Sequence, residues 1–363
     1  MAITKQLPAT GIWRTASKYL LACVLMVAST VGHAEDKKNF SMAWSIYAGW
    51  MPWPYAAQSG ILKKWADKYG ITIDVKQLDY IESINQFTAG QFDAVLVTNM
   101  DALTIPAAGG VDTSIIIVGD YSNGNDGLTL KGKKDLKDIK GQKVNLVELS
   151  VSHYFLARAL ESVGLTEKDV KVVNTSDADI VAAWGTPDVT AAASWNPQLS
   201  EIKNQKDTYE VFDSSKIPGE ILDTLAVNTA TMKAHPELAK ALTGAWFETL
   251  ALMHKNDAAA IAAKTSMAQL SGTDLPGYEA QLKTTKLFYT PKETLDFTVA
   301  PALVASNDMV RKFSFDHGLL GQNATSVDVI GIEFPGGKVL GDAKNIKLRF
   351  DATYIQLASE GKL

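Results

Sequence analysis

The sequence predicts an α/β fold in which two units of alternating strands and helices follow one another. Short runs rich in β-branched residues alternate with helical stretches from Phe40 to Asp120, and the alternation starts again at Gln142. Strands and helices that alternate at this spacing form mostly parallel sheets with right-handed crossovers. The chain has 363 residues, of which 46% are hydrophobic, and this is enough for two domains with cores of their own.

The predicted elements follow the chain in order. Short apolar or alternating runs predict strands, and longer stretches with an apolar stripe predict helices. The predicted strands are FSMAWSIY, ITIDVKQL, DAVLVT and TSIIIVGD in the first unit, and QKVNLVEL, VKVVN and DVTAAAS in the second. The predicted helices cover residues 55–69, 81–89, 100–107, 152–163, 177–184, 236–254, 257–269, 274–282 and 300–317, and a short strand and a last helix follow them.

Two segments rich in Gly, Asn, Asp and Ser separate these units. The segment DYSNGNDGLTLKG (120–132) leads from the first unit to the second, and DSSKIPGEILDTLAVN (213–228) leads out of the second. Such residues form turns and tolerate changes in backbone angle. We therefore expect these segments to connect two domains.

The first 34 residues are typical of a secretory signal peptide. Basic residues precede the apolar run YLLACVLMVASTV, and small residues lead up to Ala34, where a signal peptidase would cut. The apolar run is shorter than the ~20 residues that span a bilayer, so cleavage after Ala34 is favoured over a retained membrane anchor. Cys23, the only cysteine, lies in this segment, which excludes disulfides and cysteine-based sites from the mature chain.

Charge and motifs narrow the classes of function. The net charge is −5 at pH 7 and no Lys/Arg-rich cluster stands out, which disfavours nucleic acid as a partner. The sequence lacks H-E-x-x-H, paired C-x-x-C, G-x-S-x-G and Walker-type motifs, the signatures of zinc, hydrolase and nucleotide sites. We therefore expect no metal, no cofactor and no catalysis. An enzyme with His153 as its reactive group is the alternative.

Polar and aromatic residues follow two of the predicted strands. They occupy the carboxyl ends of those strands, where open α/β sheets bind their ligands. These residues are Thr98, Asn99, Asp101, Ser194, Trp195 and Asn196. A third candidate is the turn from Ser150 to His153, because free N–H groups at a helix start suit an acceptor on a ligand. Capping of that helix by Ser150 or Ser152 is the alternative role.

The candidate loops combine aromatic faces, carboxylates and amides. Their members are Trp50, Trp53, Trp195, Asp101, Asp120, Asp126, Glu220, Asp223, Asn99 and Asn196. This mixture suits a small planar solute with many N–H donors, especially a cation, because aromatic faces and carboxylates attract positive charge. We expect Trp50 to face the binding cleft and Trp53 to pack at the start of the following helix, while Asp126 could be only a turn residue.

Arginine is scarce in the mature chain. Arg158, Arg311 and Arg349 are its only arginines, and none lies in the candidate loops. Bidentate arginine is the usual side chain for recognising sulfonate, carboxylate or phosphonate groups. Its absence from the loops argues against an anionic ligand, although helix ends or lysines could substitute for it.

Seven motifs in one order resemble a known family. They are GWMPWPYAAQSGILKKW, AGQFDAVLVTNMDAL, DYSNGNDGL, SVSHYFLARALE, SWNPQL, DSSKIPGEILDTLAVN and HPELAKALTGAWFETL. Together they resemble the solute-binding proteins of the nitrate/sulfonate/taurine class of ABC transporters, from about Phe40 to Leu363. Within that class, the sequence looks most like the urea carboxylase-associated subgroup, for which urea or guanidine is the proposed solute.

This resemblance implies a type II periplasmic binding protein, in which two α/β lobes joined by two crossover segments close over a solute. The crossovers are expected near 126–130 and 223–228. The implied domains are a signal peptide (1–34), the first part of lobe 1 (35–126), lobe 2 (127–225) and a return to lobe 1 with C-terminal helices (226–363).

The resemblance also implies ligand contacts and partners. By matching position, the contacts fall on Trp50, Asn99, Asp120, Ser150, Ser152, His153, Trp195, Glu220 and Asp223. The expected protein is a periplasmic monomer that captures urea or guanidinium and delivers it to an ABC permease in the inner membrane. A sulfonate, nitrate or related anion is the alternative solute.

Overall fold

The computed structural model describes residues 37–363, in which the strands form two sheets and helices pack around them. The predicted signal peptide lies outside the described residues and stays a prediction. Residues from Asn39 to Leu363 cluster as one compact unit. Within the described residues, no helix is both long enough and apolar enough to cross a membrane.

The first sheet has nine strands among the described residues, in the order β13-β12-β14-β4-β10-β3-β1-β2, with β11 paired to β4. The strands are β1 (Asn39–Trp44), β2 (Thr72–Gln77), β3 (Ala94–Thr98), β4 (Thr113–Ser122), β10 (Leu222–Asn228), β11 (Thr285–Leu287), β12 (Gly331–Glu333), β13 (Val339–Leu340) and β14 (Ile346–Phe350). Strands β1 to β4 and β14 confirm sequence predictions. The short strands β11 to β13 were not predicted.

The second sheet has five strands in the order β7-β6-β8-β5-β9. They are β5 (Asp126–Lys131), β6 (Lys143–Leu146), β7 (Lys171–Asn174), β8 (Ala191–Trp195) and β9 (Thr208–Asp213). Parallel pairing of β6 with β7 and β8 confirms the predicted α/β unit. The chain therefore has the predicted α/β fold, with one sheet from each unit.

Helices cover most of the segments between strands. The α-helices are Pro52–Ser59, Ile61–Lys68, Tyr80–Thr88, Asn99–Ala102, Val151–Glu161, Ile180–Trp184, Gln198–Lys203, Thr229–Ala234, Pro236–Met253, Ala258–Leu270, Leu275–Leu282, Pro291–Thr298, Pro301–Asp316 and Thr353–Ser359. A π-helical turn, Leu103–Ala107, continues the short helix after β3. The helix predicted over residues 55–69 is broken at Gly60, whose φ of 84° ends one helix and starts the next.

The chain crosses between the sheets a few residues before the predicted positions. Residues 123–125 lead from β4 to β5, and residues 214–221 lead from β9 to β10. The expectation of crossovers at 126–130 and 223–228 was wrong, because Leu128, Leu130 and Leu225 are buried and their segments pair as strands. The domain boundaries based on the resemblance stay a prediction.

The first strand after each crossover, β5 or β10, runs antiparallel to its neighbours, whereas the sequence predicted mostly parallel sheets. Strand β10 runs antiparallel to both β3 and β4, and β5 runs antiparallel to both β8 and β9. Each of these strands follows a crossover from the other sheet, so it enters its sheet in the reverse direction. The sheets are therefore mixed rather than mostly parallel.

The core of the first sheet confirms one prediction about the tryptophans. Trp53 is 1% exposed and stacks on Trp246 at 5.0 Å between ring centroids. Both rings belong to the hydrophobic cluster under the first sheet. Trp53 therefore stabilises the start of its helix, as expected.

Candidate functional site

A small cavity lies where the two sheets meet. It has a volume of about 20 Å³. Its walls are formed by Tyr47, Trp50, Tyr80, Thr98, Asn125, Asp126, Val151, Trp195, Ile221 and Asp223. These residues come from both sheets and from both crossovers. A change in the angle between the sheets would open or close such a cavity.

Four aromatic rings form one wall of the cavity. Trp50 contacts Tyr47 edge to face at 5.2 Å and lies 6.0 Å from Tyr80, measured between ring centroids. Tyr80 in turn meets the edge of Trp195 at 5.6 Å. Trp195 belongs to the second sheet, and its Nε1 donates to the carbonyl of Ile46 at 3.2 Å. The aromatic wall thus spans both sheets and offers ring surface to a planar or cationic solute.

Gly49 explains why the motif YAGW begins this wall. A Cβ atom at position 49 would lie 2.5 Å from Cε1 of Tyr47 and 2.6 Å from Oδ2 of Asp120. Only glycine fits between these side chains. The turn Ala48–Trp50 can therefore place Tyr47 and Trp50 against the carboxylates of the site.

Two carboxyl groups lie side by side on neighbouring strands of the first sheet. Asp120 on β4 and Asp223 on β10 are directly paired in register, and both are buried. Oδ1 of Asp120 accepts hydrogen bonds from the Tyr47 hydroxyl at 2.6 Å and the Thr285 hydroxyl at 2.5 Å. Its Oδ2 is buried without a hydrogen-bond partner. Asp223 lies in the cavity wall, so one member of the pair is presented to a ligand.

Burial changes the protonation of this pair. It raises the pKa of Asp120 to about 6, although hydrogen bonds from Thr285 and Tyr47 act in the opposite direction. Burial also raises the pKa of Asp223 well above its usual range, and the charges of Asp120 and Asp126 raise it further. Two buried carboxylates at close range are costly to ionise together.

Asp126 and Asn125 add polar groups from the crossover side. Oδ2 of Asp126 accepts from the Ser122 hydroxyl at 2.5 Å, and that hydroxyl also meets Ser214 at 2.6 Å. Burial raises the pKa of Asp126 to about 7, with a further contribution from the charge of Asp120. Nδ2 of Asn125 is buried and lacks a partner. Asp126 is therefore a buried residue at the start of β5 and part of the cavity wall.

Asp101 lies behind the aromatic wall. Its Oδ2 accepts from the Tyr80 hydroxyl at 2.6 Å, the Thr98 hydroxyl at 2.9 Å and the backbone N–H of Val151 at 3.3 Å. Burial raises its pKa to about 6, against the hydrogen bonds from Tyr80 and Thr98. Asp101 thereby positions Tyr80 and supplies an acceptor to the first N–H of the helix Val151–Glu161.

That helix start is already satisfied by the protein. The Ser150 hydroxyl accepts from the N–H of Ser152 at 3.2 Å, and the Ser150 carbonyl accepts from the N–H of His153 at 2.9 Å. Ser150 is thus the helix cap, which was the alternative role in the sequence analysis. The N–H groups of Val151, Ser152 and His153 already donate to acceptors of the protein, so the helix start has few N–H groups left to bind an anion.

The cavity wall combines acidic side chains with no lysine or arginine. Among the described residues, none of the recorded ion pairs involves Asp101, Asp120, Asp126 or Asp223, and neither lysine nor arginine is among the cavity residues. Arg158 pairs with Glu220 at 2.8 Å, Arg311 pairs with Asp308, and Arg349 pairs with Asp112. These three arginines are therefore paired with carboxylates, and none of them lines the cavity.

The structure separates the predicted site residues into two groups. Trp50, Trp195 and Asp223 line the cavity, and Asp120 lies directly against Asp223. The remaining predicted contacts point into protein networks. The side chain of Asn99 hydrogen bonds to the backbone of Glu220 and Leu222. Ser150 caps its helix, and Ser152 is buried beside Val151. Glu220 pairs with Arg158, and His153 pairs with Glu167. Ligand contact by this second group stays a prediction.

Several cavity residues were missed from the sequence. Tyr47 and Tyr80 are the most important, because each joins the aromatic wall to a buried carboxylate. Tyr47 lies in the same YAGW motif as Trp50, and Tyr80 starts a helix beyond the carboxyl end of β2. Position after a strand could have indicated Tyr80. The contribution of Asn125 and Ile221 depends on where the crossovers fall.

A cluster beside the cavity joins the helix Val151–Glu161 to the helix Pro301–Asp316. Nε2 of His153 donates to Oε1 of Glu167 at 2.5 Å, and Nε2 of His317 bonds to the other oxygen of Glu167. Nδ1 of His317 lies 2.8 Å from the carbonyl of Phe313, and the two rings stack at 3.9 Å. We call His153, Glu167 and His317 the histidine–glutamate bridge.

Comparisons with known proteins agree with this architecture. Residues 123–260 match the family described as NMT1/THI5 like. The chain is similar to the alkanesulfonate-binding protein SsuA from Xanthomonas axonopodis pv. citri, with a TM-score of 0.65 and 15% identity over 79% of this chain and 96% of that one. This chain has the periplasmic binding protein fold. The nitrate-binding protein NrtA from Synechocystis PCC 6803 has a TM-score of 0.57 and 12% identity over 90% of this chain and 99% of that one.

Curated proteins that are similar in sequence match only part of this chain. The taurine-binding periplasmic protein of Escherichia coli (strain K12) is 25% identical over 180 residues, which are 48% of this chain and 56% of that protein. A binding protein of Brucella abortus (strain 2308) is 28% identical over 102 residues, 28% of this chain and 31% of that protein. The chain thus spans about half the length, or less, of the curated relatives that it matches.

Proposed function

We propose that this protein is the periplasmic solute-binding component of an ABC importer and that it captures a small nitrogen compound, urea or guanidinium. The observation that carries this proposal is the composition of the cavity wall. Aromatic rings and the carboxyl groups of Asp126 and Asp223 surround a space that has no lysine or arginine among its wall residues. The fold and the family match support the transport function.

The chemistry of the wall favours a donor-rich solute. Carboxyl groups removed from water are costly unless a partner satisfies them, and here the protein supplies none with positive charge. A planar solute with several N–H groups would donate to these oxygens and lay its face on the ring of Trp50 or Trp195. A cation gains about 2 kcal/mol or more over a desolvated aromatic face, and charge-assisted hydrogen bonds add to this.

Cavity size favours a small solute in the conformation described by the structure. The volume of about 20 Å³ is close to the space that one or two water molecules occupy. Guanidinium and urea each have four heavy atoms, all near one plane. We infer that closure of the two sheets around such a solute produces the surface that a permease recognises.

A sulfonate such as taurine is the second candidate solute. The similarity to a taurine-binding protein and to alkanesulfonate-binding proteins favours it. The site would then have to hold the sulfonate group beside Asp120, Asp126 and Asp223, with no basic side chain in the cavity wall to neutralise it. The helix start that could stabilise an anion is already bonded to Asp101. The side chains of this chain therefore favour the nitrogen compound.

Isothermal titration calorimetry of residues 35–363 with guanidinium, urea and taurine tests the proposal. We expect guanidinium or urea to bind and taurine not to bind, with guanidinium binding weakened by added salt. Asp223→Asn should reduce affinity, whereas Asp67→Asn, at an exposed carboxyl group, is the matched control. Binding of taurine with no binding of either nitrogen compound would contradict the proposal. Conversion of a bound solute on incubation would revive the enzyme alternative.

A further inference from the structure

The facing carboxyl groups of Asp120 and Asp223 make a further inference possible, which rests on the proposed function. The two residues are in register on β4 and β10, and Asp120 is fully buried while Asp223 is 5% exposed. Directly opposite positions on antiparallel strands place the two Cβ atoms about 5 Å apart on the same face of the sheet. Two buried carboxylates this close, with no basic side chain in the cavity wall beside them, are too costly to ionise together, so one of them holds a proton.

The surrounding donors determine which carboxyl group holds that proton. The hydroxyl groups of Tyr47 and Thr285 both donate to Oδ1 of Asp120, and such bonds stabilise the ionised form. Asp223 receives the opposite influence, because its neighbours Asp120 and Asp126 are acids. The proton therefore belongs on Asp223, the member of the pair that lines the cavity.

We propose that the site exchanges this proton for its solute, so that a guanidinium-type cation binds as the proton on Asp223 leaves for the solvent. The exchange is balanced, since one positive charge enters and one leaves, and the only covalent bond that breaks is the O–H bond of the carboxyl group. A neutral solute such as urea brings no charge to replace the proton. The inference thus selects the cation from the two solutes of the proposed function.

Other titratable groups around the pair do not provide the missing charge. Burial is the main reason that the pKa values of three nearby tyrosines, Tyr47, Tyr278 and Tyr289, are raised, and the charge of Asp120 raises them further. All three hydroxyl groups therefore stay neutral. Asp126 adds a further acid on the cavity side, with a pKa raised to about 7 by burial. A bound cation is therefore the natural counter-charge for the ionised pair.

The exchange makes affinity depend on pH in a defined direction. The proton-holding carboxyl has a raised pKa in the empty site and a lower pKa beside a bound cation. Cation affinity should therefore rise with pH, by up to about tenfold per pH unit for one proton released, and level off above the raised pKa. Burial and the charges of Asp120 and Asp126 raise the pKa of Asp223 well above its usual range, so the window lies at higher pH than an ordinary aspartate would give.

Calorimetric titrations in buffers of different ionisation enthalpy count the protons directly. At pH 6.5 and 7.5 we expect guanidinium binding to release a proton and urea, if it binds, to release none. Asp223→Asn should abolish the release and weaken guanidinium binding, while Asp67→Asn should change neither. Circular dichroism melting checks that each variant folds.

The outcomes separate this inference from the function on which it rests. Guanidinium binding without proton release and without pH dependence would overturn the exchange and leave the proposed function intact. Release that persists in Asp223→Asn would also overturn it, because the proton would come from another group. No binding of guanidinium or urea at any pH would overturn both.

Discussion

At the scale of single residues, Trp50 and Trp53 show how two similar side chains take different functions. They are three positions apart in GWMPWPY, yet Trp50 lines the cavity and Trp53 stacks on Trp246 beneath it. Both are buried, so exposure does not distinguish them. What distinguishes them is the cavity, whose wall includes Trp50 and not Trp53.

Matched substitutions of these tryptophans test the assignment. Trp50→Phe should weaken guanidinium binding by about 1 kcal/mol, roughly fivefold, because a smaller ring attracts a cation less. Trp53→Phe should lower the free energy of unfolding by about 1–3 kcal/mol through loss of core contacts and leave the affinity nearly unchanged. Calorimetry measures the affinity, and thermal melting without denaturant measures the stability. Equal affinity of Trp50→Phe and the parent protein would remove Trp50 from the site.

At the scale of elements, the start of the helix Val151–Glu161 belongs to the framework of the site. Ser150 caps the helix and Asp101 accepts from Val151, so the element is held against the end of β3. Ser152 differs, because its hydroxyl is buried without a partner. The two serines therefore provide an internal comparison.

We expect Ser150→Ala to lower the free energy of unfolding by about 1 kcal/mol, the usual cost of losing a helix cap. Ser152→Ala should be close to neutral, because it removes a buried hydroxyl that makes no hydrogen bond. Thermal melting of each variant, without urea or guanidinium in the buffer, measures both changes in stability without interference from a ligand. A larger loss in Ser152→Ala than in Ser150→Ala would show that the capping assignment is wrong.

Much of the element order could be predicted from the sequence, because local periodicity reports which face of a segment is buried. Strands β1 to β4 and β6 to β8 and the long helices were found in this way. Strands β5 and β10 were assigned to linkers, because Gly, Asn and Asp around them are typical of turns. Their pairing depends on contacts across the fold, such as that between Asp120 and Asp223, and no local pattern reports it.

The same limit applies to the candidate site. Aromatic and acidic residues at strand ends indicated the chemistry, and Trp50, Trp195 and Asp223 do line the cavity. Tyr47 and Tyr80 were missed because a tyrosine in a turn or at a helix start has no distinctive spacing. The separation of His153 from the cavity could not be predicted either, since its partner Glu167 comes from a later turn.

At the scale of the whole molecule, the histidine–glutamate bridge connects parts that belong to different sheets. Glu167 precedes β7 of the second sheet, whereas His317 follows the helix Pro301–Asp316, which packs beside Met100 at the end of β3. Burial acts to raise the pKa of Glu167, but hydrogen bonds from His153 and His317 outweigh it and lower that pKa. The ionised carboxylate therefore stabilises this arrangement of the sheets.

We expect Glu167→Gln to lower the free energy of unfolding by about 1 kcal/mol at neutral pH, a modest value because the group is partly exposed. The contribution of a carboxyl group with a lowered pKa is present above its unfolded pKa and is lost as pH falls through the folded value. The difference between the variant and the parent should therefore shrink in acid. Glu161→Gln, at an exposed neighbour, is the control. A difference that grows in acid would contradict the assignment.

The most direct measurement of the central claim is a crystal structure of the protein grown with guanidinium. The account predicts a planar density in the cavity, with its face on Trp50 or Trp195 and its N–H groups directed at Asp223 and Asp126. An empty cavity at saturating guanidinium, or a sulfonate from the medium bound there in its place, would contradict it.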